Sequence, residues 1–189
     1  MSMLNVTLPD GTVKQVAAGT TPLEVARSIG EGLARQTVAA YLGDELVDAS
    51  RPIESDARLR LVTLNSPEGL EIYRHSTAHL MAHAVKELFG REVQVTIGPA
   101  IESGFYYDFF SDSHTFSPEE FDQIEQKMAE LAKADLPIER QVVTSAEAIE
   151  LFREMGEAYK VELIEDLGEA EVSLYRQGTF VDLCRGPHI

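Results

Sequence analysis

The chain of 189 residues contains one cysteine, Cys184, and no tryptophan. One thiol excludes a disulfide within the chain. The opening MSMLNVTLPDG also lacks the basic and apolar segments of a secretory signal, so a reducing cytoplasm is the expected location. On that reading Asn5-Val6-Thr7 is an accidental match to a glycosylation acceptor. No apolar run reaches the roughly 20 residues of a membrane span, and no membrane partner is expected. Basic side chains are scarce, sixteen against thirty-two acidic ones, for a formal charge of −16. That balance argues against a broad electrostatic grip on a nucleic-acid backbone, so any nucleic acid is met locally. Glycine-rich phosphate loops and internal repeats are missing too, and nucleotide hydrolysis is not expected.

What is present suits a folded protein: 44% hydrophobic and 25% charged residues can bury a core without low complexity or disorder. The length allows one ordinary domain or two small ones, and the charge distribution favours two. Up to Leu64 there are six basic and eight acidic residues, and beyond it ten and twenty-four. The polar, turn-rich NSPEG at 65–69 lies at that shift and reads as a linker. The expected domains are therefore 1–64 and 65–189.

In the first domain, LNVTL alternates apolar and polar residues, Pro9-Asp10-Gly11 turns the chain, and TVKQV returns it as a hairpin. Thr21 then caps a helix, with Pro22 at its first position, Glu24 completing a capping box and Gly30 ending it. TVAAYL, ELVD and RLRLVTL read as further strands, an order that suits a sheet with one helix across its face. The second domain opens with a helix from Glu71 to about Phe89, with Ala78, Met81, Val85 and Leu88 on one stripe. EVQVTIGP and the aromatic GFYYDFF read as strands. A second capping box at Ser117 and Glu120 opens a helix with Phe121, Ile124, Met128 and Leu131 inward. Another helix starts at Ser145 and carries Ile149, Phe152 and Met155. Strands at VSLYR and TFVDL complete an α+β domain.

Chemistry concentrates at two places. HSTAH sets His75 and His79 one helical turn apart on one face, and CRGPHI sets Cys184 and His188 at the same spacing in a Gly-Pro turn. Three nitrogens and a sulfur are a zinc-compatible set; the same four side chains also suit a hydrolytic cluster, or simple packing. A free cysteine is commonly an inert buried group, yet Asp182, Arg185 and His188 crowd ionisable groups around this one. His83, a further turn along, reads as structural and His114 as solvated.

R-HSTAH-LMAHA, IGPAIESGFYYD followed by the SPEE helix, EAYKVELI and FVDLCRGPH together resemble the editing domain of bacterial-type threonyl-tRNA synthetases. The first 64 residues, with LPDG and TTPLEVA, resemble the ubiquitin-like β-grasp TGS domain that precedes it in that family. Alanyl-tRNA synthetases and free-standing editing proteins carry related His-x-x-x-His and Cys-x-x-x-His sets, but without a TGS domain in front. The resemblance spans essentially the whole chain and implies an α+β architecture, a TGS domain followed by an editing domain. It implies an amino-terminal fragment that lacks the class II aminoacylation domain. The parent enzyme is then a threonine–tRNA ligase that uses ATP, magnesium and a zinc outside this segment and forms a homodimer, whereas the fragment alone is expected to be monomeric.

The resemblance further implies post-transfer proofreading, the hydrolysis of serine mischarged onto tRNA(Thr). Serine lacks only a methyl of threonine, a difference worth about 1–3 kcal/mol in binding, so a second, hydrolytic site must supply the missing discrimination. His75, His79, Lys160, Cys184 and His188 are the implied catalytic residues. Neutral His75 is the expected base, because an imidazole exchanges protons near working pH, and Lys160 the stabiliser of developing negative charge. Asp182, Tyr107 and the Gly98 backbone are the implied substrate contacts. Without the family, Lys160 reads as an ordinary exposed lysine between a helix and a strand. No metal is expected to be required, zinc remaining the alternative through His75, His79, Cys184 and His188. Two rival readings are a non-catalytic module that binds RNA or a partner, and a zinc-dependent hydrolase of the alanyl type.

Overall fold

The computed structural model describes residues 2–189, which divide into two compact units. One runs up to Arg74 and includes Gly186–Ile189; the other is His75–Arg185. Alternation in the first unit produces β1 (Met3–Thr7) and β2 (Val13–Ala17), paired antiparallel with Leu4 opposite Val16. Helix α1 (Pro22–Ile29) follows. Thr21 Oγ1 accepts the Glu24 N–H at 3.2 Å, and Glu24 Oε2 accepts the Thr21 N–H at 2.8 Å, so the capping box is formed. A short helix not expected from sequence, α2 (Glu31–Gln36), leads into β3 (Thr37–Leu42), β4 (Glu45–Asp48) and β5 (Ala57–Thr63). The sheet order is β2-β1-β5-β3-β4, with β1 and β5 parallel. This is the expected grasp of a mixed sheet on a helix. Val6, Val25, Ala40, Val47, Ile53 and Leu59 form its core.

The stretch at 65–69 departs from its reading as a linker. Ser66 Oγ accepts the Gly69 N–H at 3.0 Å and Pro67 occupies the first helical position, so α3 begins early and runs over Pro67–Phe89. A side chain at position 69 would bring a Cβ within 2.0 Å of the Thr63 carbonyl oxygen. Glycine is needed there for close approach rather than for flexibility. The division between the two units falls inside this helix.

In the second unit the two expected long strands break into two-residue ladders. β6 (Gln94–Val95) pairs with β9 (Phe109–Phe110), and β7 (Ala100–Ile101) with β8 (Gly104–Phe105). Ser117 and Glu120 form the second capping box, and a short 3₁₀ turn leads into α4 (Phe121–Ala134). Ile124 and Leu131 are buried as expected, but Phe121 is half exposed, because it lies at the helix entrance. The main sheet is β10 (Ile138–Thr144), β11 (Glu171–Gln177) and β12 (Phe180–Leu183), antiparallel throughout.

Between β10 and β11 lie α5 (Ser145–Met155), capped by Thr144, and α6 (Ala158–Leu167). Alternation along β11 and β12 gives the sheet two different faces. Val172, Leu174 and Val181 pack with Phe152 of α5 and Ile164 of α6. Asp182 lies opposite Tyr175 on the other face, and Phe180, of the same parity, packs with Ala78 and Ala82 of α3. Those alanines are fully buried, and their small size lets α3 approach closely. The histidine helix is thereby held against the polar face.

Candidate functional site

Asp182 is the centre of the site. It is fully buried on β12, and its carboxylate accepts from four donors. Lys160 Nζ stands 2.6 Å and the Leu183 N–H 2.8 Å from Oδ1, while the Tyr107 hydroxyl stands 2.7 Å and His79 Nδ1 3.0 Å from Oδ2. Lys160 also donates to the Tyr107 oxygen at 3.4 Å. Burial works against an ionised Asp182, but the charges and hydrogen bonds of Lys160 and His79 prevail and hold it well below the usual carboxylate range. For His79, burial pulls the imidazolium pKa down, while Asp182 and then Cys184 outweigh that effect and raise it to about 9. Burial and the Asp182 charge both push the Tyr107 phenol upward, so it stays a donor.

The other half of the cluster is His75, whose Nε2 lies 3.0 Å from Cys184 Sγ. The His75 and His79 rings meet edge to face at 4.7 Å between centroids. Cys184 continues the chain from β12; its N–H donates to the Ser173 carbonyl at 3.1 Å, and the Ser173 hydroxyl donates back to the Cys184 carbonyl.

Gly98 has a steric role. A Cβ there would stand 2.2 Å from Tyr107 Cδ2, so only glycine lets this segment lie against the ring. His75, His79, Lys160, Cys184, Asp182, Tyr107 and Gly98 thus all belong to this one compact unit, joined by the contacts just described. His188 belongs to the other unit, where it is buried and its backbone N–H donates to Asp48 Oδ1 at 2.9 Å.

Two readings of exposure need correction. Lys160 is not an exposed lysine at a connection: it lies in the first turn of α6, 2% exposed, because Asp182 offers a buried counter-charge. His114 is not solvated but packs against Phe89 and Phe116, with Nε2 3.1 Å from Glu120 Oε1. His83 takes a packing place, stacked on Phe180 with Nδ1 3.1 Å from Gln177 Oε1.

Residues 4–63 match the TGS domain family. Over its whole length the chain is 61% identical to the threonine–tRNA ligase of Syntrophotalea carbinolica, covering 30% of that protein, and 60% identical to that of Geobacter sp. (strain M21), covering 29%. With the Coxiella burnetii threonine–tRNA ligase it shares 52% identity over 99% of this chain and 29% of that one. The chain is homologous to the amino-terminal region of threonine–tRNA ligases. It spans about 30% of the length of these relatives.

Sequence reasoning missed one buried charge pair in this unit. Lys86 Nζ reaches Glu157 Oε1 at 2.5 Å, with side chains 15% and 1% exposed. A signal was available: Lys86 lies four residues past Ala82, itself four past Ala78, so a cation continues a stripe of fully buried alanines. Among the described residues no helix is long and apolar enough to cross a membrane.

The donors fit a metal ion in kind. His75, His79 and Cys184 each offer one ligand atom, and these atoms lie within 4.8 Å of one another. Zinc holds such ligands at about 2.0–2.3 Å, so a modest contraction would bring them into its shell. His79 turns Nδ1 to Asp182, a carboxylate–histidine arrangement that also orients metal-bound imidazoles. At neutral pH, however, the proton retained by His79 would have to be displaced by the metal.

Proposed function

We propose that this chain is the proofreading part of a threonine–tRNA ligase and hydrolyses serine esterified to tRNA(Thr). The observation that carries the reading is the buried Asp182 carboxylate, which gathers Lys160, His79 and Tyr107 beside the His75–Cys184 pair. A purely structural unit gains little from this arrangement, since a buried ion pair is often no better for stability than apolar packing of the same volume.

Roles divide by protonation. His79 holds its proton at neutral pH, which leaves His75 to accept the proton of the attacking water. The water oxygen bonds to the seryl carbonyl carbon, and negative charge develops on the carbonyl oxygen. Lys160, a fixed cation, stabilises that charge or the departing ribose oxygen. The ester C–O bond then breaks, the ribose oxygen of the terminal adenosine takes up the proton that His75 had accepted, and serine and uncharged tRNA separate. Burial of Asp182 gives it the task of positioning Lys160, His79 and Tyr107 rather than of touching substrate. The segment at Gly98 and the Tyr107 ring border the place where the amino acid and adenosine rest.

His188 enters this reading by its spacing from Cys184, as a candidate fourth donor. A zinc ion on these residues would supply Lewis acidity and an activated water; the reading takes hydrolysis as independent of it. The partners are the 3′ end of serine-charged tRNA(Thr) and the remaining synthetase domains, in the cytoplasm. The acidic charge of −16 fits a module that meets only that end.

The test is deacylation of serine-charged and threonine-charged tRNA(Thr) by the metal-stripped chain, with and without added zinc. Selective loss of serine without zinc is the expected result. Turnover only after zinc is restored would transfer the central role to the metal, and no turnover in either condition would favour a binding module.

A further inference from the structure

Glu157 and Lys86 take no part in the chemistry above, yet they form a buried pair next to it. Glu157 immediately precedes α6, but its carboxylate does not cap that helix. It turns instead to other parts of the unit: Oε1 accepts from Lys86 Nζ on α3, and Oε2 accepts the Val95 N–H of β6 at 2.9 Å. Lys86 also donates to the Val93 carbonyl at 2.8 Å. The open N–H at the start of α6, that of Ala158, is satisfied from outside the helix by Gln94 Oε1 at 3.0 Å. Backbone and side chain of Gln94 and Val95 therefore stitch β6 to the first residues of α6.

Two arms of the site leave this junction. Lys160 lies three residues after Glu157, and the Glu157 carbonyl accepts its backbone N–H at 3.1 Å. In the other direction Val95 leads through Thr96 and Ile97 to Gly98, which lies against the Tyr107 ring. Lys160 and Tyr107 then converge on Asp182.

We propose that the Lys86–Glu157 pair is a positioning device for deacylation, which holds the start of α6 against residues 93–98 so that the Lys160 ammonium meets Asp182 and the reacting ester in register. The proposal rests on the deacylase reading above and adds two residues to it. Neither touches substrate; both act through Lys160. A displacement of about 1 Å at a reacting group is enough to lower a rate by ~100-fold, and a carboxylate shared by two elements controls displacements of that size.

The experiment compares Glu157→Gln, the apolar pair K86M/E157L and Lys160→Ala in the full chain, measuring serine-charged tRNA(Thr) deacylation and thermal unfolding. The apolar pair guards against failure to fold, because well-packed apolar replacements of buried ion pairs are often neutral or stabilising. Both variants are expected to lose between about 10-fold and 100-fold in kcat with KM within about twofold. Placed on Lys160→Ala, Glu157→Gln is expected to cause less than about a twofold further loss, because residues acting through one group are not additive. A folded K86M/E157L with undiminished kcat, or full additivity with Lys160→Ala, would overturn the proposal.

The Lys160 ammonium resonance in ¹⁵N NMR supplies a readout that does not need turnover. If it shifts or broadens in Glu157→Gln while the wild-type chain fails to deacylate, the positioning stands and the deacylase reading falls. An unchanged resonance overturns the positioning.

Discussion

The two compact units bury different materials. In the unit that runs to Arg74, the central cluster is aliphatic: Val6, Val25, Ala40, Val47, Ile53 and Leu59. In the unit His75–Arg185, Lys160, Asp182, Glu157 and His83 are at most 2% exposed alongside the apolar core. Apolar burial stabilises by about 25 cal/mol per Å² without needing partners, whereas each buried charge needs its hydrogen bonds or it destabilises. The first unit is thus tuned for folding. The second carries an arrangement that folding alone does not require, and it is there that the proposed chemistry is assigned.

The sharpest way to break the comparison is to remove one buried charge. Lys160→Met removes one of the two cations that meet Asp182, leaving only His79, and is expected to cost about 3–5 kcal/mol in urea unfolding, together with loss of deacylation. Leu59→Ala in the first unit is expected to cost a similar amount, about 2–5 kcal/mol. It should nevertheless leave the rate per folded molecule of serine-tRNA hydrolysis unchanged. If both variants lowered that rate alike, the contrast between the units would fail.

Next in size is the loss of the base: His75→Ala is expected to reduce kcat by about 100-fold or more with little change in melting temperature. Equal deacylation by this variant would remove His75 from the mechanism.

The pH response separates the units as well. His79 has a raised pKa in the folded chain, about 9, so its stabilising contribution is complete below its unfolded value near 6.5. It is lost as pH rises through about 9. The sum is about 3 kcal/mol, to be read from urea unfolding of the metal-stripped chain between pH 6 and 10. His79→Gln should flatten that slope, and a flat wild-type profile would contradict the Asp182–His79 contact.

The smallest expected effects are common to both units. Thr21→Ala and Thr144→Ala each delete the side-chain acceptor of a formed capping box and should each cost about 1 kcal/mol. A cap worth several times more in one unit than in the other would mean that local signals are not equivalent across the chain.

The boxes at Thr21 and Ser117 were legible because their information is local: Thr21 with Glu24, Ser117 with Glu120, and the spacing of His75 and His79 lie within one helical turn, whereas the Thr144–Glu147 box was missed in favour of a start at Ser145. The hairpin of β1 and β2 was legible for the same reason. Helix α6 and strand β10 were not, since neither offered a start signal of the usual kind. Glu157 spends its carboxylate on Lys86 and Val95, and the N–H it leaves open is bonded by Gln94, 64 residues distant. Strand β10 is largely exposed and lacks the apolar alternation of a half-buried strand. The long strands expected at 92–99 and 104–110 failed because pairing, not propensity, decides how far a ladder extends.

Family membership, the grasp of the first unit and the identity of the candidate catalytic side chains were determined by the sequence alone. The His75–His79 and Cys184–His188 pairs depend on residue type and on spacings of a few positions, whereas Lys160 is implied only by the resemblance of whole motifs. Which of those side chains are charged, and what each one touches, was decided by tertiary structure. Burial and the approach of Lys160, Tyr107 and His79 to Asp182 are products of packing between segments as much as 100 residues apart. An electrostatic environment is a property of where groups come to rest, and no local pattern carries it.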